Sequence, residues 1–495
     1  MNLVIVDHKF HYEIENLIRV FFPNEKINVT SEPAEDERQI ITKLNKRNGE
    51  AEIEVSYNIG QKSRIDCALF KEAFKIADES SDSFYERKMA IMLFELLKTY
   101  TGYVPPWGIL TGVRPAKLMT KLSASWGEKT ALEYFVKELK VSGEKAKLAL
   151  MVARAEVKIL SCSKPESFSL YVSIPFCPTR CSYCSFVSHS NESAKKLMPQ
   201  YVELLCKEIE YTGKIAHELG LKLESAYIGG GTPTALDAES LKKVTDAIGA
   251  NFDLTENIEY TIESGRPDSI TKEKLEVIKE SGAQRISINP QTFNDSVLEV
   301  IGRKHDSKMT CDAMTLAREC GFDNINMDII AGLPSDTLES FEDTLTKVLA
   351  FSPENVTVHT LALKRSSTLV TQDQEKGDAQ TAAAMLSSAF DRLYSNGYRP
   401  YYMYRQSKCL GNLENVGWAK AGFECDYNVF MMEECHTILA VGAGAVTKLK
   451  SPLTNEIERI FNYKYPYEYI NGFDEILARK KRIGEFYQIH MQKDA

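Results

Sequence analysis

The stretch Tyr171-Val-Ser-Ile-Pro-Phe-Cys177-Pro-Thr-Arg-Cys181-Ser-Tyr-Cys184-Ser-Phe186 places three cysteines in one short segment. Their C-x3-C-x2-C spacing allows a single tight loop to give three thiolates to one small cluster. No fourth cysteine lies nearby, so a cubane held here keeps one iron open to another ligand, as catalytic zinc sites keep one position open. The sequence therefore predicts a [4Fe-4S] cluster with Cys177, Cys181 and Cys184 as its ligands.

A structural zinc site is the alternative for the same cysteines. Zinc sites usually pair two cysteine hairpins or add histidines. This sequence has no second cysteine pair at ligand spacing, although His189 is close enough in the chain to complete such a site. The C-x3-C spacing and the strand predicted before the loop favour the cluster over zinc.

From about Leu170 onward, strand patterns alternate with helix patterns. Strands and helices in alternating series indicate a parallel sheet. The glycine-rich and polar motifs follow the strands on their carboxyl side, where parallel α/β barrels build active sites. We therefore predict an α/β fold with a partial (β/α)6 barrel over residues 166–370. Its six predicted strands are Phe168–Ile174, Glu224–Ile228, Ile258–Glu263, Gln284–Ile288, Ile325–Ile330 and Asn355–Leu361.

At 495 residues the chain is too long for one ordinary core, so we expect further domains. Residues 1–165 are predicted to form an added N-terminal α+β domain. Within it, the segment Trp107–Pro115 (Trp-Gly-Ile-Leu-Thr-Gly-Val-Arg-Pro) is distinctive but has no evident function. Residues 371–495 are predicted to form a mostly helical region that covers the substrate side of the barrel. The elements predicted in the first domain are a strand at Ala51–Tyr57 and helices at Ser83–Thr99 and Glu128–Leu160.

The composition excludes several classes of protein. The chain is 43% hydrophobic and 26% charged, with a formal net charge of -9 and no basic block. This balance is typical of a globular protein and argues against nucleic acid as the partner. No uncharged apolar stretch approaches the roughly 18 residues of a membrane span, and the first eight residues are typical of a strand rather than a signal peptide. We therefore expect a cytoplasmic protein without a membrane span.

A second motif, Gly229-Gly-Gly-Thr-Pro-Thr234, follows the second predicted strand. Glycines without side chains let the backbone approach a ligand closely, although a glycine triplet alone is more often just a tight turn. The motif is neither a phosphate-binding loop nor a dinucleotide fingerprint. A third signal is Asp328, which lies inside an apolar strand pattern and should need a partner or a ligand for its buried charge.

Together these motifs resemble the radical S-adenosylmethionine (SAM) superfamily, in which C-x3-C-x-Tyr-C follows a strand. In that family SAM chelates the open iron, and one electron from the cluster cleaves it to a 5′-deoxyadenosyl radical that removes a hydrogen atom from the substrate. From about Leu170 to Leu363 the sequence is similar to the oxygen-independent coproporphyrinogen III oxidases, in an N-terminally extended branch. The resemblance implies a [4Fe-4S] cluster and SAM as cofactors and a flavodoxin- or ferredoxin-type electron donor. A monomer is expected.

The resemblance also implies functions for individual residues. The catalytic positions that it implies are Tyr171 and Ser173, and the family commonly has a histidine where this chain has Ser173. The implied SAM contacts are Tyr171, Tyr183, Gly230, Gly231, Thr232, Glu263, Gln291, Arg303, Asp328 and Ala362.

The activity implied by the resemblance is oxidative decarboxylation of coproporphyrinogen III to protoporphyrinogen IX, a step of porphyrin and heme biosynthesis. A tetracarboxylate substrate needs fixed cations, and arginine is the better bidentate partner. Two alternatives remain open: a heme-binding carrier, and a radical SAM methyltransferase or ring-opening enzyme that acts on a tetrapyrrole. Candidate cations after the last barrel strand are Lys364, Arg365, Arg399, Arg405 and Lys408.

Overall fold

A computed structural model gives the fold of the chain in two compact units. The first unit comprises residues 1–150 together with 405–414, and the second comprises residues 151–404 together with 415–495. The structure describes residues 1–33, 38–47, 50–71, 80–112, 114–184, 189–190, 196–255, 259–362, 377–406 and 408–491.

The first unit is built on a five-stranded sheet in the order β2-β1-β3-β4-β5. β1 pairs in parallel with β2 and β3, and β3, β4 and β5 form an antiparallel meander. The strand predicted at Ala51–Tyr57 is the middle of β4, and the helix predicted at Ser83–Thr99 lies within α2. The strands are β1 Asn2–Val6, β2 Asn28–Thr30, β3 Arg38–Arg47, β4 Glu50–Ile59 and β5 Lys62–Lys71, and the helices are α1 His11–Phe21, α2 Ser81–Thr101, α3 Pro115–Trp126, α4 Glu128–Lys137 and α5 Gly143–Leu160.

The single helix predicted over Glu128–Leu160 is two helices, α4 and α5. Lys140 between them has a φ of 60°, in the left-handed region, which interrupts the helix. The Trp107–Pro115 segment binds at this break, where the Ile109 amide donates to Leu139 O at 2.9 Å. A Cβ atom on Gly108 would lie 2.1 Å from the same carbonyl oxygen, so this position requires glycine.

A buried ion pair holds the segment 405–414 in the first unit. Lys145 Nζ lies 2.7 Å from Glu414 Oε1, and Trp107 Nε1 donates to Glu414 Oε2 at 2.6 Å. Arg405 places its guanidinium 5.4 Å from the centre of the Trp107 ring and donates to Leu110 O at 2.7 Å. The distinctive tryptophan segment is thus a packing element of the first unit.

The second unit is built on an eleven-stranded sheet in the order β14-β15-β13-β12-β11-β10-β9-β6-β16-β17-β18. All six predicted strands are present and correspond to β6 and β9–β13. The strands of this unit are β6 Ser167–Ile174, β7 Phe176–Cys177, β8 His189–Ser190, β9 Lys222–Gly230, β10 Glu259–Glu263, β11 Arg285–Ser287, β12 Ile325–Ala331, β13 Asn355–Thr360, β14 Arg399–Arg405, β15 Glu414–Ala419, β16 Thr437–Val441, β17 Val446–Lys450 and β18 Ile457–Phe461.

β16 is a seventh parallel strand, which the sequence pattern did not indicate. It pairs with β6 on the side opposite β9. Residues 371–495 were predicted to be mostly helical. The described part of this region contributes four α-helices and also five strands, and all five strands join this one sheet. Within the part of the chain that the structure describes, the edge strands β14 and β18 do not pair, so the sheet is open.

Helices connect the parallel strands and cover the sheet. β6 and β12 are buried along most of their length, as expected for strands with both faces covered. The helix Met198–Glu218 has a proline in its first turn, where the missing N–H would have no partner within the helix. Among the described helices, none has the length and apolar character needed to cross a membrane. The helices of this unit are α6 Met198–Glu218, α7 Ala238–Asn251, α8 Lys272–Glu280, α9 Asp295–Val300, α10 Ser307–Glu319, α11 Leu338–Phe351, α12 Ala379–Ser395, α13 Asp426–Glu433, α14 Pro466–Asn471 and α15 Phe473–Met491.

Candidate functional site

The three cysteines lie in the loop that follows β6, at the carboxyl end of the parallel strands. Cys181 is buried, whereas Cys177 and Cys184 are half-buried. The Ser182 amide donates to Ile301 O at 3.0 Å, and the Cys184 amide donates to Cys181 O at 3.2 Å. Backbone hydrogen bonds therefore fold the segment into a tight loop and tie it to the neighbouring chain.

The donor set fits a cluster better than a single ion. Within the described ranges, no three His, Cys, Asp or Glu side chains converge on a position for one metal ion. In a cubane each cysteine binds a different iron, so the ligands do not converge on one point. The side chain of His189, the candidate fourth ligand of a zinc site, lies outside the described residues.

The glycine motif after β9 packs directly on the cysteine loop. The Gly231 amide donates to Ile174 O, and the Thr232 amide donates to Phe176 O, both at 2.7 Å. A Cβ atom on Gly231 would lie 2.6 Å from Phe176 O, so a side chain would displace the backbone here. Thr232 Oγ1 donates to Cys177 Sγ at 3.5 Å, which joins the two motifs in space.

Tyr171 and Ser173 lie on β6 beside Gly230. A Cβ atom on Gly230, whose φ is 101°, would lie 3.0 Å from Ser173 Oγ and 3.3 Å from Tyr171 OH. Ser173 Oγ donates to Ala443 O at 2.8 Å, so its hydroxyl proton is already used in a hydrogen bond to the backbone. Burial raises the pKa of Tyr171 above its ordinary value. Neither side chain is thus poised to take up a proton near neutral pH.

A stack of three tyrosines lies on the inner face of the sheet. Tyr227 and Tyr427 have ring centres 4.6 Å apart and ring planes 20° apart, and Tyr171 stacks on both at 6.2 to 6.4 Å. Tyr427 comes from α13, in the C-terminal region. The sequence patterns indicated neither partner of Tyr171, because their proximity depends on strand pairing and on a distant helix.

Glu263 ends β10 and is bound by this stack. Tyr227 OH donates to Glu263 Oε1 at 2.5 Å. Burial raises the pKa of Glu263 to about 7, although the Tyr227 hydrogen bond and the charge of His359 lower it. The negative charge of Asp328 also raises the pKa of Glu263. This carboxyl group therefore changes its charge near neutral pH.

Asp328 on β12 is half-buried and has a partner for its charge. His359 Nε2 on the adjacent β13 lies 3.7 Å from Asp328 Oδ2, and Asn326 Nδ2 donates to Oδ1 at 2.7 Å. Burial alone would raise the pKa of Asp328, but its interaction with His359 lowers it, and the pKa of His359 is raised in turn. The signal that could have identified His359 is its position in an apolar strand next to the strand of Asp328.

The edge of the candidate site contains three further residues: Gln291, Arg303 and Tyr183. Gln291 has a φ of 66°, and its amide donates to Asp328 O at 2.9 Å. Arg303 Nη2 donates to Tyr183 OH, between the last two cysteines, at 2.9 Å. Ala362 lies just beyond the end of β13. The structure therefore places the three cysteines and the sequence-predicted SAM contacts on the parallel strands or in the segments that follow them.

Among the residues that the structure describes, several buried polar atoms at or near these strand ends have no hydrogen-bond partner. Within this described part, the Oγ atoms of Ser264 and Ser287, at the ends of β10 and β11, are unpaired, as are Arg303 Nε and Tyr427 OH. Buried polar groups nearly always have partners, so unpaired ones indicate the place of a polar ligand. Together with the glycine cradle and the two carboxyl groups, they fit a charged ligand with amino-acid and ribose groups, such as SAM.

The candidate substrate cations do not form a cluster in the described residues. Arg399 is exposed and donates to Tyr394 O and Tyr398 O at 3.0 and 2.7 Å. Arg405 is only 2% exposed and packs on Trp107, so the prediction that it meets the substrate has no support. Lys408 is exposed. Lys364 and Arg365 lie outside the described residues.

Comparison with known proteins agrees with this site. The model of the radical SAM superfamily matches residues 171–348. The chain is 36% identical over 418 residues to the oxygen-independent coproporphyrinogen-III oxidase-like protein HemZ of Bacillus subtilis (strain 168), covering 83% of this chain and 81% of that protein. It is 31% identical over 327 residues to the heme chaperone HemW of Haemophilus influenzae, covering 65% of this chain and 79% of that protein.

A solved structure shares the fold. Coproporphyrinogen III oxidase (HemN) from Escherichia coli aligns with a TM-score of 0.52 at 24% identity, covering 65% of this chain and 72% of that chain. Members of the superfamily use a [4Fe-4S] cluster and SAM, which supply the radical chemistry while the protein binds and orients them. With these two cofactors, the chain belongs to the radical SAM superfamily and, within it, to the family of oxygen-independent coproporphyrinogen-III oxidase-like proteins.

Proposed function

We propose that this protein removes carboxyl groups from two propionates of coproporphyrinogen III by oxidative decarboxylation, giving protoporphyrinogen IX for heme biosynthesis. The observation that supports the radical chemistry of this proposal is the 3.5 Å contact between Thr232 Oγ1 and Cys177 Sγ, which joins the cysteine loop to the glycine cradle. The similarity to an oxidase-like relative supports the choice of a tetrapyrrole substrate. The proposal includes a flavodoxin- or ferredoxin-type electron donor, a monomeric protein and a cytoplasmic location.

In this proposal Cys177, Cys181 and Cys184 hold the cluster. When bound, the reduced cluster and SAM would supply abstraction of a hydrogen atom from the β-carbon of a propionate, with 5′-deoxyadenosine and methionine as the products of SAM. The substrate radical would then lose carbon dioxide and pass one electron to a one-electron acceptor, which leaves a vinyl group. Arg303 Nε, which has no partner in the described protein, is suited to donate to the carboxylate of SAM. The backbone at Gly231 can approach the methionine end of SAM closely because no side chain is present.

In the proposal, the carboxyl groups of Glu263 and Asp328 would bind the remainder of SAM. Glu263 and Asp328 bring negative charge to a ligand that carries a positive sulfonium, and both can accept hydrogen bonds from ribose hydroxyls. The tyrosines that stack beside Glu263 exclude water from this side of the site, which a radical reaction requires.

The affinity for SAM should depend on the charge of Glu263. Below its pKa of about 7 the carboxyl group is protonated and no longer attracts the cation. If only the ionised form binds well, affinity falls by about tenfold from pH 8 to pH 6. Equilibrium binding under anaerobic conditions would measure this, with Glu263→Gln lacking that part of the pH dependence.

The neighbours of Glu263 define the control for that experiment. Tyr227, Asp328 and His359 face Glu263. Burial alone would lower the pKa of His359, but its hydrogen bond with Asp328 and the charge of Asp328 raise it. The exposed Glu273→Gln variant should keep the wild-type profile. An unchanged pH profile in Glu263→Gln would assign the dependence to His359 or to SAM itself and refute this role of Glu263.

Replacing Asp328 with alanine should weaken SAM binding by at least about tenfold, the effect of losing one buried charged hydrogen-bond partner. The iron content should stay at the wild-type level, because Asp328 belongs to β12 and not to the cysteine loop. Measuring the iron content and the SAM affinity of the same preparation tests both expectations. An unchanged SAM affinity in Asp328→Ala would remove this residue from the site.

The substrate is tested by an anaerobic assay with reconstituted cluster, a low-potential reductant, SAM and coproporphyrinogen III. Mass spectrometry should detect loss of two carboxyl groups, matched by formation of 5′-deoxyadenosine. If 5′-deoxyadenosine forms without decarboxylation, the proposed substrate is wrong although the radical chemistry stands.

A second candidate, a heme-binding carrier, is favoured by one observation. At the position where the oxidase family commonly has a histidine, Ser173 donates its hydroxyl proton to Ala443 O at 2.8 Å. The chain is also 31% identical to a protein named a heme chaperone. Stoichiometric heme binding without consumption of coproporphyrinogen III would select this function.

A further inference from the structure

Arg266 lies in the loop after β10, and its guanidinium reaches the cysteine loop, although no sequence motif singled it out. The residue is 3% exposed. Nη1 donates to Cys181 Sγ at 3.5 Å and to Thr179 O at 3.3 Å, and Nη2 donates to Thr179 Oγ1 at 2.8 Å. One buried cation therefore holds two residues of the cysteine loop.

Asp268 fixes the orientation of this guanidinium. Arg266 Nε donates to Asp268 Oδ1 and Nη2 to Oδ2, both at 3.0 Å, in the two-bond geometry typical of arginine and carboxylate. With these bonds all five N–H groups of Arg266 have acceptors. Burial alone would raise the pKa of Asp268, but the hydrogen bond and charge of Arg266 lower it. The pair is therefore ionised and held in one geometry.

We propose that Arg266 is a positioning residue that holds the Thr179–Cys181 part of the loop and raises the reduction potential of the cluster through its N–H···S contact with Cys181. The inference rests on the proposed ligands of the cluster. Hydrogen bonds to the sulfurs and nearby charge are among the factors that set the potential of an iron–sulfur cluster.

The sign of the effect follows from the charge of the cluster. Reduction adds one negative charge, so a cation and an N–H donor at a ligand sulfur stabilise the reduced form more than the oxidised form. Because Arg266 is buried, its charge is little screened by salt. Asp268 offsets part of this charge, so the two residues should shift the potential in opposite directions.

Arg303 is a half-buried arginine near the loop, and its contacts differ from those of Arg266. Its hydrogen bonds go to Tyr183 OH and to the carbonyl oxygens of Gly265 and Asn289. Arg266 is the arginine whose hydrogen bond reaches a cysteine sulfur directly. A change of potential on substitution of Arg266 therefore reports on that contact.

The test is an anaerobic redox titration of the reconstituted full-length protein, followed by electron paramagnetic resonance without SAM or tetrapyrrole. In Arg266→Gln, at wild-type iron content, we expect about tenfold less reduced cluster at a fixed potential, which is a shift of about 59 mV to lower potential for a one-electron couple. Arg266→Lys, which keeps the charge, should recover part of the shift.

Asp268→Asn is the matched variant, because it keeps the guanidinium and removes the compensating anion. Its potential should rise above that of the wild type. Loosening of the loop alone would shift both variants in the same direction, so shifts of one sign, or none, would overturn the proposal. If Arg266→Gln fails to bind the cluster, Asp268→Asn decides, since an unchanged or lower potential there overturns the proposal.

Failure of the ligand assignment gives a different result. A wild-type cluster in Cys181→Ala would show that Cys181 is not a ligand, whatever the potentials are. Equal potentials in the wild type, Arg266→Gln and Asp268→Asn, with the cluster lost in Cys181→Ala, would leave the ligands intact and reject only the proposed effect of Arg266.

Discussion

Cys181→Ala is expected to lose the visible absorbance of the cluster and SAM cleavage together. A cubane with three protein ligands has one open iron, and removing one of three thiolates leaves too few ligands to hold it. Cys181 is also the buried member of the three and accepts the hydrogen bond from Arg266. Formation of 5′-deoxyadenosine should fall to background, because the electron that cleaves SAM comes from the cluster.

Cys162→Ala is the matched control for this prediction. Cys162 is exposed and lies before β6, outside the cysteine loop. Its removal should leave the absorbance, iron and sulfide content and SAM cleavage unchanged. Iron and sulfide analysis, absorbance and mass spectrometry of 5′-deoxyadenosine on both variants complete the test. A full cluster in Cys181→Ala would rule out Cys181 as a ligand.

The parts of the candidate site that could be predicted from the sequence are those that local sequence patterns specify. The cysteine loop, the glycine motif and Glu263 each follow a strand that its own residues specify. Because parallel strands end at one edge of a sheet, local strand patterns are enough to bring these motifs together. This is why the cysteine loop and the glycine motif meet at the Thr232 contact although more than forty residues separate them.

Residues that act through a distant neighbour could not be predicted in this way. His359 matters because β13 lies beside β12, and Arg266 because its loop faces the cysteine loop. In the sequence, the only indication of His359 is its position in an apolar strand pattern, and Arg266 carries no sign of its partner. The break between α4 and α5 could not be predicted for a similar reason. Lys140 has a left-handed φ, but no glycine or proline stands at that position to indicate it.

Arg405 illustrates the opposite error. In sequence it is one of the cations that follow the last predicted barrel strand, where a tetracarboxylate substrate would need fixed positive charge. In the structure Arg405 donates a hydrogen bond to Leu110 O, which is 295 residues away in the sequence, and packs on Trp107. Burial lowers its pKa to about 10, although the nearby Glu414 raises it. Its function is thus tied to the packing of the first unit.

Glu208→Gln should lower the free energy of unfolding of the second unit by about 3–5 kcal/mol, the cost of leaving a buried charge without its partner. Glu208 Oε1 lies 3.1 Å from Lys480 Nζ, and the two side chains are 0% and 1% exposed. Glu208 Oε2 accepts from the Gly442 amide at 2.8 Å and from Tyr469 OH at 2.6 Å.

Glu208→Gln should also affect the candidate site. Gly442 precedes Ala443, whose carbonyl oxygen accepts the hydroxyl proton of Ser173. A loosened Gly442 turn would release Ser173 and the end of β6, next to the cysteine loop. We therefore expect Glu208→Gln to lose its cluster more rapidly than the wild type on mild heating, as followed by the visible absorbance.

The double variant Glu208→Gln/Lys480→Met separates the buried charge from the hydrogen bonds. Removing both charges leaves no unpaired ion, and such replacements are often neutral for stability. The double variant should therefore regain most of the stability lost in Glu208→Gln, as measured by denaturant unfolding. If it is as unstable as the single variant, the hydrogen bonds to Gly442 and Tyr469 are the main contribution of Glu208, and the ion pair with Lys480 is secondary.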